Sequence, residues 1–425
     1  MCHLGNEKKI NVIIGNSAAG VSAIKEIRNY DSQCSIILIS KEDCKAYSPV
    51  LEPYYIAQKI DRCGMFFVDD NFFEDYNVSP LLGIKAIEVD PIAKQVKLEN
   101  GKYVQFDNLL IATGSSPRRL GLEGEDLPGI FTLKSISDSD RILEYSAQVK
   151  DIVVIGGGFI GLHAAKALHK TGRKITLMEI SNKLLSQNID ERCSSLFEDI
   201  IKKAGVSIIF GKGVKSFYRK NNRIKIQLNS GETLDTEMVV MGTGVQPNID
   251  LVKNSQIKTN RGIVVDESMR TNFPNIFAAG DVAEGPNLIT AKNSIVPNWI
   301  NACGQGTTAG SNMSGGFSTY QSLDELATNI FGLAIAVLGN SSPTDGFSDE
   351  SSYFNFAKGI YRKIHFNEKG ELDGAILVGQ ASDVGIISNL IRRRVAISRE
   401  LRDQIACNIN PLSIWNYINL GGYEA

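Results

Sequence analysis

Apolar residues along this chain cluster in short β-branched runs, each followed by a turn of small residues and then by apolar positions at helical spacing. The first block, KKINVIIGNSAAGVSAIKEIRN, predicts a strand over Ile10–Ile14, a turn, and a helix rich in Ala, Ile and Glu. The block DIVVIGGGFIGLHAAKALHKTGRKITLMEI repeats the plan, with a strand at 152–155, a turn, a helix over 161–170 and a further strand at 175–178. Such a succession predicts an α/β chain with parallel sheets. The segments FDNLLIATGSSPR (106–118) and DTEMVVMGTGVQPNIDL (235–251) each read as a hydrophobic strand ending in a Thr-Gly turn, Thr113-Gly114 and Thr243-Gly244. TNFPNIFAAGD (271–281) reads as a strand at 276–279 that delivers Gly280 and Asp281. The longest apolar run, 330–338, is far too short to cross a bilayer and predicts one buried strand. KGIYRKIHFNEKGELDGAILVG (358–379) reads as a hairpin-like pair of strands around a Gly turn, with LIRRR on a helix after it.

The second turn, Gly156-x-Gly158-x-x-Gly161, is a complete dinucleotide fingerprint between a strand and a helix. Gly156 permits the tight turn, Gly158 lets backbone approach a pyrophosphate, and Gly161 lets helix pack on strand. The phosphates then lie at a helix N-terminus carrying roughly half a positive charge. Glu179 follows 18 residues after Gly161, where an acid meets the adenosine ribose hydroxyls and repels a 2'-phosphate. NADH is therefore expected over NADPH, and Lys183 is the one nearby cation that argues otherwise. In the first turn, Gly15-x-Ser17-x-x-Gly20, a serine replaces the middle glycine, and its hydroxyl can still donate to phosphate. The acid after the strand at 36–39 is displaced as well: Ser40 takes the strict position and Glu42 follows two residues later.

Composition narrows the classes. With 425 residues, 43% hydrophobic and 22% charged, the chain is globular and long enough for two or three domains. A formal charge of −2 provides no field for nucleic acid. The basic knot Arg392-Arg393-Arg394 reads as a solvated helix face, or else as a dock for an acidic protein. The opening MCHLGNEKKI has no apolar stretch after its charges, so neither a signal peptide nor a membrane anchor is expected, and the protein is expected in the cytoplasm. Seven cysteines (2, 34, 44, 63, 193, 303, 407) include no Cys-x-x-Cys pair, so neither a zinc site nor an iron–sulfur cluster is written locally, and no metal site is expected.

Taken in order, the two turns, the two Thr-Gly crossings and the Gly280-Asp281 strand end resemble the FAD-dependent pyridine nucleotide-disulfide oxidoreductase superfamily. The similarity covers nearly the whole chain and is nearest to reductases of the NADH oxidase, rubredoxin reductase and nitrite reductase type. It extends to flavin subunits attached to iron–sulfur enzymes such as phenylglyoxylate dehydrogenase or carbon monoxide dehydrogenase. The resemblance implies two Rossmann-like domains, one inserted in the other. Residues 9–117 and 242–320 would form an FAD domain, 118–241 an NAD domain, and 321–425 an α+β interface domain through which a homo-oligomer would form. It also implies FAD contacts from Gly15, Ser17, Gly20, Thr113, Gly114 and Asp281; Gly244 and Gly280 are expected to be cofactor-binding as well, and the displaced Glu42 is expected on the FAD ribose. A helix opening near 297–310 would offer its positive end to the flavin.

Departures from the family carry as much weight. Relatives read Cys-Ala-Leu-Pro-Tyr where this chain reads Val50-Leu51-Glu52-Pro53-Tyr54, so the redox cysteine is replaced by a valine expected to pack the helix beneath the ring. Cys44 lies six residues earlier, before the Tyr47-Ser48-Pro49 turn, and reads as incidental. Many relatives carry Glu after the second turn; here Gly161-Leu162-His163 stands, and His163 either serves the nicotinamide or packs in the core. Glu52 either reaches the flavin or faces solvent. The chain thus reads as an NADH:acceptor flavin reductase, a subunit of a larger redox complex whose partner is a ferredoxin-like or other iron–sulfur protein. The alternatives are an NADH oxidase or peroxide or disulfide reductase using a distant thiol, and a flavin-binding interaction protein with negligible turnover.

Overall fold

The computed structural model describes residues 8–341 and 349–407. The expectation for the opening segment falls largely outside the described residues. The chain divides into two compact units, one comprising the described residues up to Arg118 with Lys134–Ile136 and Val245–Leu323, the other Arg119–Leu133, Ser137–Gly244 and the described residues from Asp324 onward.

In the first unit five parallel strands lie in the order Ile276–Ala278, Asn108–Ile111, Ile10–Ile14, Ser35–Ile39 and Val78–Leu81. Ile10–Ile14 sits at the centre, so its side chains are covered on both faces, and Val12, Ile13, Leu38, Leu109 and Leu110 are fully buried. Burial of each such side chain stabilises the fold by about 1.5–3 kcal/mol. Helix Ala18–Tyr30 follows the central strand directly, and helix Trp299–Met313 packs along it. Small residues let these two helices touch: a Cβ at Gly306 would lie 2.2 Å from the Ala19 carbonyl oxygen.

In the second unit a parallel sheet has the order Ser207–Phe210, Lys174–Glu179, Asp151–Ile155, Met238–Met241 and Ile130–Thr132. Helix Phe159–Lys170 leaves the central strand as Ala18–Tyr30 does in the first unit. The C-terminal part of this unit is an antiparallel sheet ordered Glu325–Ile330, Leu333–Gly339, Leu372–Val378, Ile360–Phe366 and Asp349–Asn355. Helices Val384–Arg392 and Arg399–Cys407 complete it. Arg362, 1% exposed, closes this part by giving Nη1 and Nη2 to the two oxygens of Asp383 at 3.0 and 2.6 Å and Nε to the Ala406 carbonyl at 2.8 Å.

Two expectations need correction. The apolar run 330–338 is not one strand: Ile330 ends one, Phe331 and Gly332 turn with positive φ (48° and 93°), and Leu333 begins the next. The turn hides because its first central residue is aromatic where Asn or Gly is usual. Val50 is also not packed in a helix. It occupies a 3-10 turn, Pro49–Leu51, and is 58% exposed, while its neighbour Leu51 packs on the Tyr47, Met65 and Ile136 cluster. Arg392 is engaged, with Nη2 3.0 Å from Glu325 Oε2.

Candidate functional site

The first nucleotide turn starts where Gly15, at φ 124°, takes the chain out of the central strand. Ser17 then stands in extended conformation as N-cap of Ala18–Tyr30, yet its side chain makes no capping hydrogen bond. Its hydroxyl is therefore not consumed by the helix, whose first N–H groups also lack partners within the helix. Beside it Asn16 is buried; Nδ2 donates to the Cys44 carbonyl at 3.0 Å while Oδ1 has no hydrogen-bond partner. An orphaned buried acceptor costs on the order of 1–3 kcal/mol, so this turn fits a nucleotide that brings a donor.

Glu42 lies beyond the next strand, and its Oε1 accepts from the Tyr47 hydroxyl at 2.7 Å. Tyr47 Oη in turn accepts the Ile136 N–H at 3.2 Å. Burial, and then the Glu42 charge, push the Tyr47 pKa far up, so the phenol keeps its proton and donates it. Thr113 and Gly114 are fixed from the returning crossing. The Thr113 hydroxyl donates to the Asn248 carbonyl at 2.9 Å, and Asn248 Nδ2 donates to the Thr113 carbonyl at 2.9 Å.

Gly280, at φ 81°, is held by its N–H on Gln305 Oε1 at 2.7 Å, a side chain of helix Trp299–Met313. Asp281 follows, and its Oδ2 takes two donors, the Ser115 hydroxyl at 2.6 Å and Lys134 Nζ at 3.0 Å. Oδ1 accepts neither and suits a sugar hydroxyl. Glu52 opens the short helix Glu52–Ile56 and is 4% exposed, which removes the solvent-facing reading. Ser115 and Asn248 stand inside the two Thr-Gly segments, Gln305 on the helix at 297–310 and Tyr47 in the turn before Val50, but the sequence assigns none of them a role, and Lys134 stands in no singled-out segment.

In the second unit the turn is built on the same plan. A Cβ at Gly156 would lie 2.3 Å from the Gly242 carbonyl oxygen, whereas one at Gly158 would meet nothing within 4 Å. Open space at the helix N-terminus is what a pyrophosphate needs. Glu179 is anchored by the turn itself: Oε2 accepts the Gly157 N–H at 2.5 Å and Oε1 the Ser181 N–H at 2.8 Å. Lys183 is occupied elsewhere, its Nζ donating to the Ile189 carbonyl at 2.8 Å. Gly244, at φ 90°, ends this unit's crossing with open space where a Cβ would stand.

His163 projects from the first turn of Phe159–Lys170, and its Nε2 is 3.0 Å from Thr328 Oγ1 on strand Glu325–Ile330. One helical turn on, Lys166 Nζ donates to the Asn329 carbonyl at 2.8 Å. Burial, reinforced by Lys166, pulls the His163 pKa down to about 4, so the imidazole is neutral at neutral pH. Among the described residues no group of three or more His, Cys, Asp or Glu gathers to hold a metal. Among the same residues no helix is long and apolar enough to cross a membrane.

The family model of pyridine nucleotide-disulphide oxidoreductases matches residues 10–306. The chain is 31% identical over 411 residues to the NADH-dependent phenylglyoxylate dehydrogenase subunit epsilon of Aromatoleum evansii, covering 95% of each chain. It is 29% identical over 428 residues to an NADH oxidase of Methanocaldococcus jannaschii, again with 95% of each covered. Its fold is similar to that of a ferredoxin reductase from Rhodopseudomonas palustris, with TM-score 0.87, 23% identity, and 94% of this chain and 98% of that one covered. With its two strand-turn-helix cradles and this likeness along almost its whole length, the chain belongs to the pyridine nucleotide-disulphide oxidoreductases and is an FAD-dependent NAD(P)H oxidoreductase.

Proposed function

We propose that the protein passes electrons between NAD(H) and an iron–sulfur protein, as the nicotinamide-facing flavin subunit of a larger complex in the cytoplasm. The observation that carries this reading is Val50 at the position of the redox cysteine. A valine forms neither thiolate nor disulfide, so no sulfur at that position can receive the electron pair. FAD, when bound, accepts a hydride from the nicotinamide and can hand the pair on one electron at a time. A one-electron protein acceptor is the partner that suits such a site, and a relative named as the epsilon subunit of an NADH-dependent dehydrogenase supports membership of an assembly.

The chain's own residues divide the work of binding. Gly15, Ser17, Gly20, Thr113, Gly114, Glu42, Gly280 and Asp281 hold FAD; Gly156, Gly158, Gly161, Gly244 and Glu179 hold NAD. Glu179 selects NADH because its carboxylate repels a 2'-phosphate, while the Lys183 ammonium is directed to the Ile189 carbonyl. His163 is a neutral imidazole steadied by Thr328 that orients the nicotinamide. Glu52 is a buried acid of the flavin side.

Steady-state turnover with NADH tests this. The purified protein should reduce ferricyanide and other one-electron acceptors rapidly, and disulfides and hydrogen peroxide slowly. Faster turnover with peroxide or a disulfide than with one-electron acceptors would sink the reading.

A further inference from the structure

We propose that the three-residue segment Lys134–Ile136 is a strap that sets both acids of the flavin cradle, with Lys134 a positioning residue for Asp281 and the Ile136 N–H acting through Tyr47 on Glu42. The inference rests on the reading that Asp281 and Glu42 hold FAD.

The segment groups with the first unit, although Leu133 before it and Ser137 after it group with the second. At its start Lys134 Nζ donates to Asp281 Oδ2 at 3.0 Å, and the Ser115 hydroxyl reaches the same oxygen at 2.6 Å. Two donors on one oxygen fix the carboxylate plane and reserve Oδ1 for a ligand hydroxyl. The side chains of Lys134 and Asp281 are 28% and 16% exposed, so the pair is shielded enough for its geometry to hold.

At the end of the strap, Ile136 is the first residue of helix Ile136–Ser146, and its N–H has no acceptor within that helix. Tyr47 Oη supplies one at 3.2 Å. The phenol carries a single proton, so with Ile136 donating to the oxygen that proton goes to Glu42 Oε1, 2.7 Å away. Tyr47 and Ile136 are 6% and 3% exposed and pack together with Met65, which leaves little room for either to turn. One short piece of chain thereby orients two carboxylates that lie on different strand ends, one after Ser35–Ile39 and the other after Ile276–Ala278.

The test is FAD affinity of the full-length apoprotein, read by flavin fluorescence on reconstitution, with NADH binding to the same samples as a check of folding. Lys134→Met should weaken FAD binding about tenfold and Tyr47→Phe by a similar factor, each loss being that of one hydrogen bond to a charged group. Lys134→Arg should restore most of the loss, and NADH affinity should stay unchanged. The double variant should lose less than the product of the single losses, because either change releases the same strap. Should Lys134→Met not fold, Lys134→Gln serves in its place. If Asp281→Ala weakens FAD while the Lys134 variants bind it normally, or if the double variant gives the full product, the strap is overturned and the flavin assignment stands. If Asp281→Ala itself binds FAD normally, the flavin assignment is what fails.

Discussion

At the first nucleotide turn a Cβ added to Gly20 would lie 2.0 Å from the Gly15 carbonyl oxygen; at the second, the same change at Gly161 would lie 1.8 Å from that of Gly156. The backbone plan is one and the same. The acids differ. Glu179 is held by the N–H of Gly157, inside its own turn, whereas Glu42 is held by a side chain, Tyr47. A backbone-anchored acid needs the regular spacing, and it stands at the expected strand end. An acid anchored by a side chain is released from that spacing, which is how Ser40 comes to occupy the regular place and Glu42 a later one. The middle position follows the same division: Gly158 leaves open space, whereas Ser17 keeps an uncommitted hydroxyl.

Close packing is common to both turns, so breaking it should have the largest effect. Gly161→Ala places a methyl group where backbone stands and should weaken NADH binding at least about a hundredfold, with a stability loss on the order of 3 kcal/mol in a thermal melt. FAD content should survive in the folded fraction. Retained NADH affinity would show that the turn does not cradle the nucleotide.

Glu179→Ala sharpens the contrast between the acids. The preference for NADH over NADPH in flavin reduction should fall by about one to two orders of magnitude, the worth of a lost charge repulsion together with lost ribose bonds. Equal reduction by both nucleotides in the wild type would remove Glu179 from the ribose.

His163 gives a pH signature confined to the second unit. Its folded pKa of about 4 lies below the usual value of 6.5, so the unfolded chain binds the proton more readily, and stability is lost as pH falls from about 6.5 towards 4. Between pH 7 and pH 5 the wild type should lose about 1–2 kcal/mol more than His163→Gln in denaturant titrations. Parallel pH dependence in the two proteins would place His163 in a solvated setting. Smallest of all, Ser17→Gly should change FAD affinity by less than about threefold, because the hydroxyl adds one bond to a turn whose backbone supplies most of the grip.

Much of this was legible beforehand for a physical reason. Central parallel strands such as Ile10–Ile14 and Asp151–Ile155 are buried on both faces, so they appear as continuous β-branched runs, and the glycines after them mark a backbone need. Where side chains alone do the holding, the sequence is mute. Lys134 sits in an unremarkable Thr-Leu-Lys-Ser stretch, and its partner Asp281 is 147 residues away. Tyr47 reads as one aromatic among several, although it holds Glu42. The turn at Phe331-Gly332 was lost inside an apolar run because apolarity reports burial and not direction. The chemistry of Val50 suggests a packed residue, yet the proline before it starts a 3-10 turn that leaves the side chain outside.

An electron path that bypasses sulfur fixes the count of electrons taken up per flavin. Reduced anaerobically with dithionite or NADH, the FAD-loaded protein should bleach fully with two electrons per FAD, since Val50 stores none. A requirement for four electrons would reveal a second two-electron centre, a disulfide or an oxidised thiol among the remaining cysteines, and would contradict an electron path that bypasses sulfur.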